Sequence, residues 1–168
     1  WGADFAAAAS HKWMMGPWGA GFLYVDREVA EEMSPAQVGY RSVADTSADE
    51  PEFGPGATRF EVGTTSPAPY VGLQESIDLI EEIGHDTITD RIERLTDRLK
   101  EGLGDRLLSP RSYESGLVTF TADDPEATVE RLADEGIHIR TLPSPDACRV
   151  SVHVFNTEAD VDALLEAL

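Results

Sequence analysis

Two hydrophobic periods alternate along the chain, and they divide it into three stretches. Short apolar runs at residues 5–9 and 21–25 enclose a Gly- and Pro-rich stretch. They predict strand, turn, strand over residues 1–25. Residues 26–33 form a short polar helix or turn that stops near Pro35. Residues 34–66 are rich in Gly, Pro, Ser, Thr and acids, and they predict mainly loop. A loop of that length inside a compact domain is functional or packs on a partner. From Pro67 to Leu103 the period becomes helical. Leu73, Ile77, Ile80 and Ile83 share one face, and Ile88, Ile92, Leu95, Leu99 and Leu103 share another. Gly84 and His85 interrupt the pattern. Two helices therefore meet near Gly84, and the second ends at Gly104.

The last third is mixed. Residues 116–121 predict a strand. Asp124-Pro125 opens a helix that runs through Leu132 and ends at Gly136, with Pro125 suited to its first turn. Residues 137–142 and 148–154 alternate as strands, joined by Pro143-Ser144-Pro145-Asp146. Thr157 with Asp160 predicts a capping box for a final helix whose apolar face is Val161, Leu164, Leu165 and Leu168. The order β-α-β-β-α over about 115–168 makes a small α+β domain. The expected division is 1–66, 67–104 and 105–168. The first part is an incomplete portion of a larger α/β domain that begins in mid-strand at Trp1. The second is a pair of linking helices.

Composition narrows the function. The chain has 168 residues and a net charge of −19, which disfavours nucleic acid and anionic membranes as partners. No apolar run approaches the ~20 residues of a membrane span. Cys148 is the single cysteine, so an intrachain disulfide is impossible and a cytoplasmic setting is expected. A carboxylate-rich, lysine-poor surface is expected of a protein adapted to high salt.

Lysine use is the sharpest chemical signal. Only Lys12 and Lys100 occur, against eleven arginines. Lys12 lies in the stretch Ser10-His11-Lys12-Trp13-Met14-Met15-Gly16-Pro17-Trp18, between the two apolar runs. If those strands are buried, its ammonium is badly solvated and the neutral amine becomes accessible. A neutral lysine amine forms Schiff bases with aldehydes, and pyridoxal phosphate is the common aldehyde cofactor held in that way. The plain alternative is an ordinary loop lysine beside a strand. Trp13 and Trp18 read as packing. No metal-ligand spacing is present.

Four segments together resemble the C-terminal part of a fold-type I pyridoxal-phosphate enzyme of the class V aminotransferase family, whose relatives include cysteine desulfurases and isopenicillin N epimerase-like proteins. They are residues 4–25 with His11-Lys12 and Gly16-Pro17; Arg59-Phe60-Glu61-Val62-Gly63-Thr64; Gly72-Leu73-Gln74-Glu75-Ser76-Ile77 leading to Ile83-Gly84; and residues 148–157. The resemblance implies an α/β enzyme acting on an amino acid. Lys12 would carry the cofactor and shuttle the proton at the substrate α-carbon. His11 and Ser10 would lie at the cofactor phosphate. Gly63 and Thr64 would reach the phosphate in the other subunit of a homodimer with shared active sites. Arg149 would clamp the substrate carboxylate.

Two readings stand beside this one. The first is a non-catalytic fragment or dimerisation module. The second is a cysteine desulfurase or selenocysteine lyase. Desulfurases carry a nucleophilic cysteine between the strands at 137–142 and 148–154, where this chain has only Pro143-Ser144-Pro145-Asp146-Ala147. Cys148 alternates away from Arg149 and is expected to be buried and structural.

Overall fold

The computed structural model describes every residue except Trp1, Ala48, Glu50, Pro51 and Glu114. They form two compact units, residues 1–82 and 83–168. The boundary falls inside the helical region that the sequence groups as one linking segment.

In the first unit, β1 (Phe5–Ala9) and β2 (Gly21–Val25) pair antiparallel, with Phe5 opposite Val25 and Ala9 opposite Gly21. Strand, turn, strand is as expected, but the burial is not. Phe5, Phe22, Leu23 and Tyr24 are each about half exposed. A two-stranded ribbon buries little of its own surface. The expectation of buried strands around Lys12 is corrected accordingly. Trp1, where a mid-strand start is expected, lies outside the described residues. Helix α1 (Arg27–Glu32) follows, capped by Asp26, whose Oδ1 accepts from the Glu28 and Val29 N–H groups.

The described residues of 34–66 are mainly loop, yet the loop is tied down. Val43 and Phe53 form an isolated bridge, and Gly56–Phe60 make one turn of 3-10 helix. Arg59 is only 9% exposed and acts as the fastener. Its Nε donates to the Gly54 carbonyl, and its Nη1 donates to those of Glu31 and Met33. The guanidinium fork thus ties the loop at Gly54 to the C-terminal end of α1. Helix α2 (Ala68–Ile83) buries Leu73 and Ser76 and half-buries Ile77, Ile80 and Ile83.

In the second unit, α3 (His85–Leu103) buries the expected face of Ile92, Leu95, Leu99 and Leu103. Next come β3 (Leu117–Phe120), α4 (Pro125–Asp134), β4 (Arg140–Pro143), β5 (Asp146–Ser151) and α5 (Glu158–Ala167). This is the expected β-α-β-β-α order. The strands form one antiparallel sheet, ordered β3-β5-β4. Val118, Phe120, Cys148 and Val150 from the sheet close a core with Leu95, Leu99, Leu132 and Leu164 from the helices. The whole chain is therefore mixed α/β, with an α+β second unit.

Two strand ends differ from the periodic reading. The 137–142 strand begins only at Arg140, because the Ile137 N–H turns back to the Leu132 carbonyl at the end of α4. Ile137 and Ile139 still pack on the core. The 148–154 strand starts earlier and ends at Ser151. Beyond it, Arg91 on α3 donates to the carbonyls of Val154 and Asn156, at 2.7 and 2.6 Å, and draws the chain off the ladder.

Candidate active site

The turn between β1 and β2 is closed by backbone hydrogen bonds. The Ser10 N–H donates to the Ala20 carbonyl, Gly16 to Ser10, and Met15 to Lys12. Met15 holds a left-handed φ of 54°, which is costly for a residue with a long side chain. Gly16 is required by close approach, because a Cβ there would sit 2.8 Å from the Ser10 Cβ. Ser10 is 1% exposed. Its Oγ lies 2.6 Å from the Pro17 carbonyl and 3.0 Å from the Ala20 carbonyl. A hydroxyl has one proton to give, and here it is given inside the turn. Ser10, an expected phosphate contact, therefore points inward and gives its proton to the turn's own carbonyls.

The same turn presents Lys12 with an exposed side chain. Its neighbour His11 is half-buried and stacks on Trp18, ring centroids 3.9 Å apart and planes 14° from parallel. An amine and an oriented imidazole thus stand side by side on a backbone that is locked from beneath.

Gly63 and Thr64 lie elsewhere in the first unit. They line a cavity of about 710 Å³ together with Gly21, Phe22, Arg41 and Tyr70. The Tyr40 hydroxyl is hydrogen-bonded to the Thr64 Oγ1. The space beside the Gly63 α-carbon is open. Neither His11 nor Lys12 lines this cavity.

Arg149 belongs to the second unit, on β5. Its neighbours Cys148 and Val150 are buried in the core, so alternation turns Arg149 to the opposite face of the sheet. It is half-buried, and its Nε is buried with no hydrogen-bond partner. An unsatisfied buried donor costs about 1–3 kcal/mol, which marks a position that an acceptor would relieve. Directly across the ladder stand Thr119 on β3 and Arg140 on β4. Arg140 carries no motif of its own in the sequence; only the hairpin register brings it beside Arg149.

Cys148 is fully buried, its Sγ 3.7 Å from the Pro125 carbonyl. Burial, with nearby Asp146 second, pushes its thiol up, away from the reactive thiolate. The turn joining β4 to β5, at Ser144 and Pro145, has no thiol. Among the described residues no group of His, Cys, Asp and Glu is placed to hold a metal ion. No helix among them is long and apolar enough to cross a membrane.

Residues 1–164 match the aminotransferase class-V family. The chain belongs to the class-V aminotransferase family. It is 31% identical over 184 residues to a probable cysteine desulfurase of Staphylococcus epidermidis, covering 99% of this chain and 44% of that protein. It is 33% identical over 185 residues to the isopenicillin N epimerase of Streptomyces clavuligerus, covering 98% of this chain and 46% of that protein. Among solved structures it is similar to the cystine C–S lyase C-DES in complex with cysteine persulfide. The identity is 32% and the TM-score 0.87, over 98% of this chain and 46% of that one. A lysine-to-alanine mutant of the same lyase, at TM-score 0.87 and 31% identity, has glycine covalently linked to its PLP cofactor; the match covers 98% of this chain and 45% of that one. This class-V chain thus spans less than half the length of the relatives it matches.

Proposed function

We propose that this class-V chain is part of a pyridoxal-phosphate-dependent enzyme acting on an amino acid, with Lys12 holding the cofactor and Arg149 holding the substrate carboxylate. The observation that carries the reading is the Lys12 turn. A left-handed Met15 and the close Gly16–Ser10 approach fix its backbone while the Lys12 amine stays exposed. Strain retained in a short turn is common where a side chain must be held for chemistry.

The residues present fit the group. Lys12 offers an amine to an aldehyde, and the buried, unpartnered Nε of Arg149 offers a guanidinium to a carboxylate. When bound, pyridoxal phosphate supplies an electron sink for the bonds of the substrate α-carbon. The protein supplies the rest. Arg149 fixes the substrate through its carboxylate, and a fixed carboxylate fixes the α-carbon. Lys12 Nζ takes and returns the proton at that carbon. His11, oriented by Trp18, would help to hold the cofactor phosphate. Gly63 and Thr64 would help to hold the phosphate in the second subunit of a homodimer. Ser10 locks the turn from within. Transfer of sulfur through Cys148 is disfavoured by its burial and raised thiol. The acid-rich surface suits a cytoplasm of high salt.

Two variants of the full-length enzyme test this reading. Arg149→Lys keeps the charge but loses the fork. It is expected to raise KM for the amino acid by about tenfold or more. Lys12→Ala is expected to abolish turnover. An unchanged KM removes Arg149 from the site, and an active Lys12→Ala variant ends the catalytic role of Lys12.

A further inference from the structure

The loop of the first unit brings two of its segments, 39–42 and 61–64, side by side. Ser42 is fully buried, and its Oγ donates to the Glu61 carbonyl at 2.7 Å. The same Oγ accepts from the Gly39 N–H at 3.1 Å. Gly39 presses on the second segment so closely that the Val62 carbonyl fills the place of a Cβ. The Tyr40 hydroxyl is bonded to the Thr64 Oγ1, and Arg41 Nε lies 3.1 Å from Glu61 Oε2. Each residue of 39–42 thus has a counterpart in the second segment. Arg41 is held beside Gly63-Thr64 by the neighbours on either side of it.

Arg41, Glu61, Gly63, Thr64, Thr65 and Tyr70 all line the cavity of about 710 Å³. Among the described residues of that lining, Arg41 is the one cation and Glu61 the one carboxylate. Beyond Glu61, Arg41 has no ion-pair or hydrogen-bond partner among the described residues. Both side chains of the pair are about half exposed, 47% and 53%. An exposed pair of this kind contributes little, so an anion of higher charge displaces the carboxylate easily.

From this arrangement we infer that Arg41 is a further ligand of the cofactor phosphate, acting with Gly63 and Thr64 in the neighbouring subunit's site. The inference rests on the proposed reading, in which Gly63 and Thr64 hold that phosphate, and it adds the charge that they lack. A phosphate monoester brings about −1.5 to −2 charges at neutral pH, here to a chain of net charge −19. A backbone amide and a hydroxyl leave that charge uncompensated. The guanidinium fork engages two phosphate oxygens at once. With the Tyr40 hydroxyl donating to Thr64 Oγ1, the Thr64 proton is left to donate to a third.

The test measures binding of pyridoxal phosphate, and of pyridoxal without the phosphate, to the full-length apoprotein at fixed ionic strength. The ratio of the two dissociation constants reports the phosphate alone. Arg41→Gln is expected to lower the preference for pyridoxal phosphate by about tenfold and to leave pyridoxal unchanged. Its unfolding midpoint should stay near the wild-type value, since only an exposed pair is lost. Thr64→Val is expected to lower the same ratio. If Thr64→Val lowers it and Arg41→Gln does not, the inference about Arg41 fails while the phosphate reading stands. If neither lowers it, the reading on which the inference rests fails as well. Inorganic phosphate is the third probe. Its binding lost in Arg41→Gln, with the ratio intact, would assign Arg41 to a free phosphate and overturn the inference.

Discussion

At the residue scale, the Lys12 turn rests on two contacts, each open to test. Gly16→Ala would place a methyl 2.8 Å from the Ser10 Cβ, inside any real carbon–carbon contact. It should destabilise the protein by about 1–3 kcal/mol, measured by denaturant unfolding. Ser10→Ala removes the donor to the Pro17 and Ala20 carbonyls and should cost about 1 kcal/mol. A neutral Ser10→Ala, with cofactor binding lost instead, would show that Ser10 is a ligand and not a lock. Lys12 stands out in the sequence because lysine is scarce and the flanking runs are apolar, and its chemistry is what the proposal adds. The inward hydrogen bonds of Ser10 were not legible in the sequence, because a buried hydroxyl and a ligand hydroxyl look alike until their acceptors are seen. Arg59 stayed silent for a similar reason, since carbonyl acceptors 26 and 28 residues away leave no local pattern.

At the element scale, α3 and α5 are stapled by charge. Arg98 meets Asp162 at 2.6 and 2.8 Å, and Arg94 meets Glu158 at 3.3 Å. The capping box of α5 is formed as the Thr157/Asp160 spacing predicts. Thr157→Ala should therefore cost about 1 kcal/mol of stability. The acids at this helix start have carboxyls below the ordinary range. Glu158 is lowered first by its own backbone N–H, Asp160 by the Thr157 backbone N–H, and Asp162 by the Arg98 hydrogen bond. A folded carboxyl held low contributes stability above the ordinary carboxylate range and loses it as pH falls through the folded value. Unfolding midpoints should thus drop once the pH falls below about 4. Midpoints flat down to pH 2 would contradict the staple. The helices were legible because their apolar period is long and their caps are local. The ends of β4 and β5 were not, because the Leu132 carbonyl and the Arg91 side chain set them from outside the strand.

At the scale of the whole molecule, charge and missing cover dominate. The net charge of −19 remains after every arginine is counted, and the four ion pairs among the described residues are all exposed. Exposed pairs contribute little, so repulsion among the remaining acids sets the balance. Raising salt from low to molar levels should raise the unfolding midpoint by several degrees, roughly, as that repulsion is screened. A midpoint that falls with salt would contradict it. The fold class was legible because element order decides it. The exposure of β1 and β2 was not, because an apolar run shows that a strand wants cover without showing what covers it. The central claim is that Lys12 carries the cofactor. Its most direct test is borohydride reduction of the full-length protein with pyridoxal phosphate, followed by mass mapping of its peptides. The account predicts a pyridoxyl group on Lys12 and none on Lys100, which is 4% exposed and donates to the Ser112 carbonyl. A label on any other lysine, or cofactor bound with Lys12 unlabelled, would contradict it.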